Sequence, residues 1–281
     1  MIDLHVHSTA SDGTFTPEEL AEKGKSFSVM AITDHDNCAG AARFLSAARE
    51  VSDPSCLRLA GIELSIEPGA GYRKFHLLGL GIDPEAPCLI DFLEEIRAGR
   101  NERNVLILRK LNDLGIPLEM EDVRKFSDGR IVARPHFGRA LVEKGFATDV
   151  KDAFAKYLGD GAAAYVTRYH PPQAAAIDCI HRAGGVAVMA HPRYWTDDPA
   201  ALRKGLARLK DLGLDGIEAV YQANLPGETV DHLRAARELG LAVTAGSDFH
   251  GANKPAVTLG MTVKDEEAFL APFRAALAQN A

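Results

Sequence analysis

Met1-Ile-Asp-Leu-His5-Val-His7-Ser-Thr-Ala-Ser-Asp12 opens the chain, and its reading sets the architecture of the rest. Four residues suited to a short buried strand run into His-x-His, and a carboxylate follows five positions later. Side chains two apart on a strand point the same way, so His5 and His7 can present two imidazoles to one point. That arrangement suits a divalent metal. Two histidines alone carry little weight. The remaining ligands have to come from other segments, and the order of those segments decides the fold.

Outward from this strand the chain alternates. Thr16-Pro17-Glu18-Glu19 reads as a helix start, with Thr16 as N-cap, Pro17 in the first turn and Glu19 placed for a capping box; the helix should reach about Phe27. Val29–Thr33 is a second apolar strand ending in Asp34-His35-Asp36. A helix over Ala39–Glu50 precedes strands near Leu57–Ile66 and Arg73–Ile82. After a break the alternation resumes: helix Pro171–Ala183, strand Gly185–Ala190, helix Pro199–Leu212, strand Gly216–Val220, helix Glu228–Leu239, strand Ala242–Gly246 and a final helix Asp265–Ala278. Short apolar strands joined by helical crossovers imply a parallel sheet, at this length most simply a barrel. About seven strands are countable, so an α/β barrel of distorted, incomplete (β/α)7 TIM-like form fits better than a regular eightfold one.

The break is helical. Leu89, Phe92, Leu93, Ile96, Val105, Leu108 and Leu111 recur at helical spacing, Gly115-Ile116-Pro117 ends the run, and short helical patterns follow to Tyr157. Residues 99–165 therefore form a helical insertion in a barrel made of 1–98 and 166–281. Such excursions leave a barrel through loops at its catalytic mouth.

Composition limits the function. The 281 residues carry a formal charge of −7 and 46% hydrophobic residues, which is ordinary for a globular protein and gives no global basic field for nucleic acid or membrane. No apolar run approaches a membrane span and no signal peptide is visible. Cys38, Cys56, Cys88 and Cys179 are scattered without a C-x-x-C pair. Together these imply a reduced, cytoplasmic protein.

The histidines and carboxylates then fall into place. His5 and His7 end the first strand, Asp34-His35 the second, His191 follows Ala190, and Asp248 and His250 follow Gly246-Ser247. Four strands deliver metal-type residues at the end where barrel enzymes build their sites. Glu63 sits in the apolar run Leu-Ala-Gly-Ile-Glu63-Leu-Ser-Ile, where an unpaired carboxylate would be expensive; a metal is its natural partner. His76, in Phe-His-Leu-Leu, reads as a further ligand against a hydrogen-bonded core histidine. Asp12-Gly13 taken alone is a turn dipeptide. Glu218 ends a strand and suits either an ion pair or a place behind the ligands. His181 and His232 read as surface residues of helices, and Cys38 as packing.

His5-x-His7, Thr33-Asp34-His35-Asp36, Glu63, His76, Ala190-His191-Pro192 and Gly246-Ser247-Asp248-Phe-His250-Gly together resemble the PHP (polymerase and histidinol phosphatase) family, from residue 1 to about 260. The resemblance implies up to three divalent ions, manganese first, with zinc or iron as alternatives. It implies one ion on His5, His7, Glu63 and Asp248, a second sharing Glu63 with His76 and His191, and a third on Asp12, His35 and His250. Paired ions of this kind acidify a bridging water and clamp attacking and leaving oxygens, and phosphate-ester hydrolysis is the natural reaction. Three ligand carboxylates offset half the charge of three such ions, so an acidic chain can still attract an anion. Asp34, His191 and His250 are the candidates for proton transfer to the leaving oxygen.

Substrate recognition falls to the insertion. Arg100-Asn-Glu-Arg103-Asn104 and Arg130-Ile-Val-Ala-Arg134-Pro-His136-Phe-Gly-Arg139 concentrate cations, and guanidinium forks match phosphate oxygens. Arg103, Asn104, Arg134 and His136 are the expected phosphate contacts, joined by Arg193 just past His191; Arg100 and Arg139 read as helix-surface charge. The Arg-Pro-His-Phe-Gly-Arg segment resembles the PHP subgroup that dephosphorylates nucleoside 3′,5′-bisphosphates such as pAp and in some members trims short RNA from its 5′ end. The expected partner is a nucleotide or other small phosphate ester, with short RNA or histidinol phosphate as alternatives and no obligate protein partner. A metal-stabilised nucleotide-binding module without turnover is the non-enzymatic alternative, and the full ligand set argues against it.

Overall fold

A computed structural model describes residues 1–53, 55–127 and 132–279. Seven strands form one sheet in sequence order: β1 (Ile2–Asp3), β2 (Val29–Ile32), β3 (Leu57–Ile66), β4 (Phe75–Leu80), β5 (Val186–Met189), β6 (Gly216–Tyr221) and β7 (Ala242–Gly246). The first and last strands then meet. Leu4 N donates to Ala245 O and His7 N to Phe249 O, both at 3.0 Å, while Asp248 N donates to His5 O at 2.9 Å. The result is a nearly closed seven-stranded α/β barrel.

One expectation fails. The sheet is parallel except at β4, which runs antiparallel to both β3 and β5. Residues 67–74 are too few for the helical crossover that a parallel return requires, a dozen residues or more, so the chain turns straight back. The reversal has a consequence for the site. Ser65, near the end of β3, pairs with His76, near the start of β4, so His76 stands at the same rim as the C-terminal ends of the parallel strands.

Helices α1 (Pro17–Lys23) and α2 (Ala39–Val51) pack on each other, and α2 lies over β2 and β3. The α1 cap forms as its spacing predicts: Thr16 Oγ accepts from Glu19 N at 3.2 Å and Glu19 Oε2 from Thr16 N at 2.8 Å. Strand alternation divides β2 between two cores. Val29 and Ala31 face the barrel interior with Ile2, Leu4, Leu59, Leu78, Val188 and Ala245, while Met30 and Ile32 pack outward on Leu20, Phe27 and Phe44. Each fully buried branched or aromatic side chain contributes about 1.5–3 kcal/mol of transfer free energy.

The chain divides into two compact units, Met1–Phe92 with Pro171–Ala281, and Leu93–His170. The division falls inside α3 (Pro87–Asp113), whose run stops where Gly115 takes φ 78°. The second unit has its own core of Ile107, Leu111, Val123, Phe137, Leu141 and Leu158, drawn from α3, α4 (Met120–Arg124), α5 (Arg134–Glu143), α6 (Val150–Ala153) and the π-helical turn Phe154–Leu158 that follows. Helices α7 (Gln173–Arg182), α8 (Pro199–Asp211), α9 (Glu228–Leu239) and α10 (Glu266–Gln279) complete the first unit. His232 on α9 is buried rather than at the surface, because it shares a helical face with Ala235 and Ala236. Among the described residues no helix is long and apolar enough to cross a membrane.

Candidate metal centre

The strand ends bring nine side chains to one rim of the barrel. His5 and His7 come from the segment after β1, His35 after β2, Glu63 from β3, His76 from β4, His191 after β5, and Asp248 and His250 after β7. Asp12 reaches in from the loop before α1. All but His35 and Asp12 are buried; the Asp12 side chain is 56% exposed and marks the open side. Two of the nine have left-handed backbones, Asp248 with φ 59° and His191 with φ 27°. Non-glycine residues pay for that conformation and retain it where surrounding structure fixes them, commonly at functional sites.

A second row of carboxylates orients the first. Asp3 accepts from Ser247 N at 2.9 Å, Ser247 Oγ at 2.6 Å and Gly260 N at 2.8 Å, locking β1 to the segment after β7. Burial nevertheless pushes its carboxyl up to about 6. Asp36 takes the Ser65 N–H at 2.9 Å. Asp34 accepts from Ser8 N, Ser8 Oγ and Ser11 Oγ at 2.8, 2.6 and 2.6 Å. These three donors tie Asp34 to the loop carrying His7. Glu218, left open between two roles by its sequence context, is fully buried behind the ligands. It accepts His191 N at 2.8 Å and lies 3.0 Å from His5 Nδ1. A carboxylate there takes the Nδ1 proton of His5 and leaves the Nε2 lone pair facing inward. The His250 Nδ1, 2.8 Å from the Asp248 carbonyl oxygen, is fixed in the same way.

The inward atoms converge, and two of them are left without a hydrogen-bond partner. His5 Nε2 and His7 Nε2 are 3.1 Å apart, both beside Glu63 Oε2 at 3.3 and 3.1 Å. Glu63 Oε2 and His35 Nδ1 are buried and lack hydrogen-bond partners although they lie 3.0 Å apart. Buried polar atoms in this state are costly unless a cation completes them. Ligand atoms lie within 4.8 Å of one another in three sets: His5, His7, Glu63 and Asp248; His7, Asp12, His35 and His250; and His35, Glu63 and His76. The first matches the expected set. The second gains His7, and the third holds His35 where His191 was expected, with His191 Nε2 instead 2.8 Å from Glu63 Oε1. Nitrogen and carboxylate donors of this kind fit divalent manganese, zinc or iron.

Charge within the cluster is self-compensating. Burial opposes ionisation of Glu63, yet His35, His76 and His5 hold its carboxyl well below the usual range. Burial likewise opposes charge on His7, but Asp248 and Glu63 raise it to about 9. For His76 burial prevails and pushes the imidazole down to about 3. Three residues were not singled out from sequence. Tyr221 donates its hydroxyl to Asp248 Oδ2 at 3.0 Å, Lys254 Nζ reaches the same oxygen at 2.6 Å, and Tyr194 packs edge-on to His191 with ring centroids 5.2 Å apart. Lys254 lies only four residues beyond His250, a spacing that was available as a signal.

The expected phosphate contacts divide. Arg193 is engaged near the barrel rim by the Ala223 carbonyl and by Glu228, 3.6 Å from its Nε. In the second unit Asn104 is buried, its Oδ1 accepting from Arg103 at 2.7 Å and its Nδ2 donating to Val132 O at 3.1 Å, so it positions Arg103. His136 Nδ1 accepts Ala133 N at 3.1 Å and so caps α5. Arg134 bonds Leu158 O at 3.1 Å and Asp160 at 3.2 Å and lies over the Phe154 and Tyr165 rings. Arg103 is buried, and its charge is disfavoured first by that burial and then by Arg100, Arg168 and Arg134. Arg100 therefore belongs to this cationic group and not to ordinary helix surface. Arg130 lies outside the described residues.

Known proteins resemble this chain over most of its length. The PHP domain model matches residues 3–112. The 5′-3′ exoribonuclease Rnm of Escherichia coli is 36% identical over 260 residues, covering 88% of this chain and 84% of that protein. The 3′,5′-nucleoside bisphosphate phosphatase of Chromobacterium violaceum is 33% identical over 264 residues, covering 93% and 91%. A solved structure from C. violaceum, described as an amidohydrolase with bound sulfate and no metal, superposes with a TM-score of 0.80 at 31% identity over 99% of this chain and 96% of that one.

Proposed function

The chain belongs to the PHP family and is a phosphoric ester hydrolase; from that premise we propose that it removes the 3′-phosphate of nucleoside 3′,5′-bisphosphates at a centre of two to three divalent ions. His5, His7, Glu63 and Asp248 would hold one ion, Asp12, His35 and His250 a second, and Glu63 with His76 and His191 a third. When bound, these ions supply Lewis-acid charge for phosphoryl oxygens and lower the pKa of coordinated water. The protein's own groups do the rest. Glu218 and the Asp248 carbonyl set the imidazole tautomers, Asp3 and Asp34 fix the loops, and buried walls exclude bulk water. His250 Nε2 lies 3.3 Å from half-exposed Asp12, its fellow ligand on the solvent side.

One observation carries the bisphosphate reading. Arg103 is a buried cation grouped with Arg100, Arg134 and Arg168, and a second, non-reacting phosphate is the ligand that such a group favours. Its likeness to a named bisphosphate phosphatase supports the same substrate. Likeness to Rnm at 36% identity favours a second reading, stepwise removal of nucleotides from the 5′ end of short RNA; the acidic chain disfavours a long RNA track. Phosphate release by manganese-loaded protein from pAp, mononucleotides, histidinol phosphate and 5′-phosphorylated oligonucleotides separates them. Turnover of pAp with a KM raised by Arg134→Ala is expected. Cleavage of oligonucleotides alone would replace the bisphosphate reading with the nuclease one, and turnover of histidinol phosphate alone would reject both.

A further inference from the structure

We propose that Lys254 is a catalytic residue, contacting the phosphoryl group of the substrate at the rim of the metal centre. The proposal rests on the reading of that centre given above. Lys254 follows the 3-10 turn Gly251–Asn253 after β7, and its side chain is 39% exposed. It pairs with the ligand carboxylate Asp248, whereas the ion pairs of Asp12, Glu63 and Glu218 are with histidines. The two oxygens of Asp248 divide their contacts. Oδ1 faces His5 Nε2, His7 Nε2 and His250 Nδ1 at 3.6, 3.4 and 3.4 Å, while Oδ2 takes Lys254 Nζ and the Tyr221 hydroxyl.

Asp248 can therefore ligate through Oδ1 with the ammonium still beside it. A fixed positive charge so close to a divalent ion repels it, so Lys254 weakens metal binding and its presence calls for an anion. An ammonium has three donors. One is used by Asp248, and the half-exposed position lets the others reach solvent, where a phosphoryl oxygen drawn to the ions would arrive. Arg193, another cation near this rim, is already committed to Glu228 and the Ala223 carbonyl. Lys254 is thus placed to neutralise charge on the transferred phosphate.

The test is calorimetric titration of wild-type, Lys254→Met, Lys254→Arg and Asp248→Asn proteins, first with manganese and then, metal-loaded, with inorganic phosphate. Lys254→Met should bind manganese as tightly as wild type or more tightly. It should bind phosphate about ten- to hundredfold more weakly, the range for one charge-assisted hydrogen bond. Lys254→Arg should restore most of the phosphate affinity. Unchanged phosphate affinity in Lys254→Met overturns the proposal. So does a parallel loss of manganese, which would make Lys254 a positioning residue for Asp248. Full manganese affinity in Asp248→Asn would instead overturn the reading of the centre.

Discussion

His7 shows how much a single side chain carries in this centre. It contributes to two of the three ligand sets and touches Glu63 and Asp248 at once. His7→Ala and Asp248→Ala should each lower turnover by at least about a thousandfold, in line with the charge stabilisation lost when a metal site fails; phosphate release within tenfold of wild type would remove either residue from the ligand set. The imidazole also fixes a pH dependence. In metal-free protein His7 titrates at about 9, above its ordinary 6.5. Its raised value favours the protonated folded form, so this stabilisation is present in full below about pH 6.5 and is lost as the pH rises through about 9. His5 is shifted the same way, against its burial, by Glu218, Glu63 and Asp248. Metal needs the neutral ring, so ion binding expels the proton and tightens over the same interval. Melting curves should show the gap between metal-loaded and metal-free protein widening from about pH 6.5 to about 9, and a narrowing gap would contradict the assignment. The histidines were legible because His-x-His on a strand is a local pattern. Tyr221 was not, and Lys254 only through its spacing to His250, since their meaning comes from one oxygen of Asp248, which the folded chain puts beside them.

Strands were the most legible part of the chain, and β3, β6 and β7 begin at the residues their apolar runs indicate. The direction of β4 was also written in the sequence, in a connection too short for a helix, yet the prevailing alternation suggested a parallel strand. His232 was misplaced for a related reason: its helix was recognised, but its spacing to Ala235 and Ala236 was not followed to the buried face. What sequence could not supply is the seam between β1 and β7, where residues more than 240 positions apart lie side by side. Gly246 sits in that seam. A Cβ there would lie 2.3 Å from Glu218 Oε1 and 2.4 Å from His5 Cβ, and neither neighbour can yield without moving a ligand or the carboxylate that orients it. Gly246→Ala should cost about 1–3 kcal/mol, as overpacking in a tight core does, and should weaken metal binding as well. Urea melts with metal titration check both; wild-type stability and affinity would mean the seam is looser than these distances imply.

Two compact units divide the chemistry that the sequence placed in one chain. The barrel unit holds every residue of the three ligand sets, and the Leu93–His170 unit holds the buried Arg103 and its neighbouring guanidiniums. Hydrogen exchange can test the ion ligands of the barrel unit and the guanidiniums of the helical unit separately. Ligands that come from the segments after β1, β2, β5 and β7 and from β3 and β4 tie together strands distant in sequence. Binding at a thousand times the dissociation constant stabilises such a fold by about 4 kcal/mol, and local opening at the strand ends is suppressed in proportion. Manganese should accordingly slow exchange in peptides covering His5–Asp12, Thr33–Asp36, Gly61–Ser65, His191 and Gly246–His250, with little change across Leu93–His170. Adding a nucleoside 3′,5′-bisphosphate to a metal-loaded, turnover-deficient His250→Ala variant should then protect peptides around Arg100–Asn104 and Arg134–His136. The 5′-monophosphate alone should protect those same peptides, because the phosphate assigned to the guanidiniums is the one left after hydrolysis. Protection of the barrel peptides without the helical ones would refute the arginine group as a phosphate site while leaving the metal centre standing. Metal that bound without protecting the strand ends would refute the centre itself.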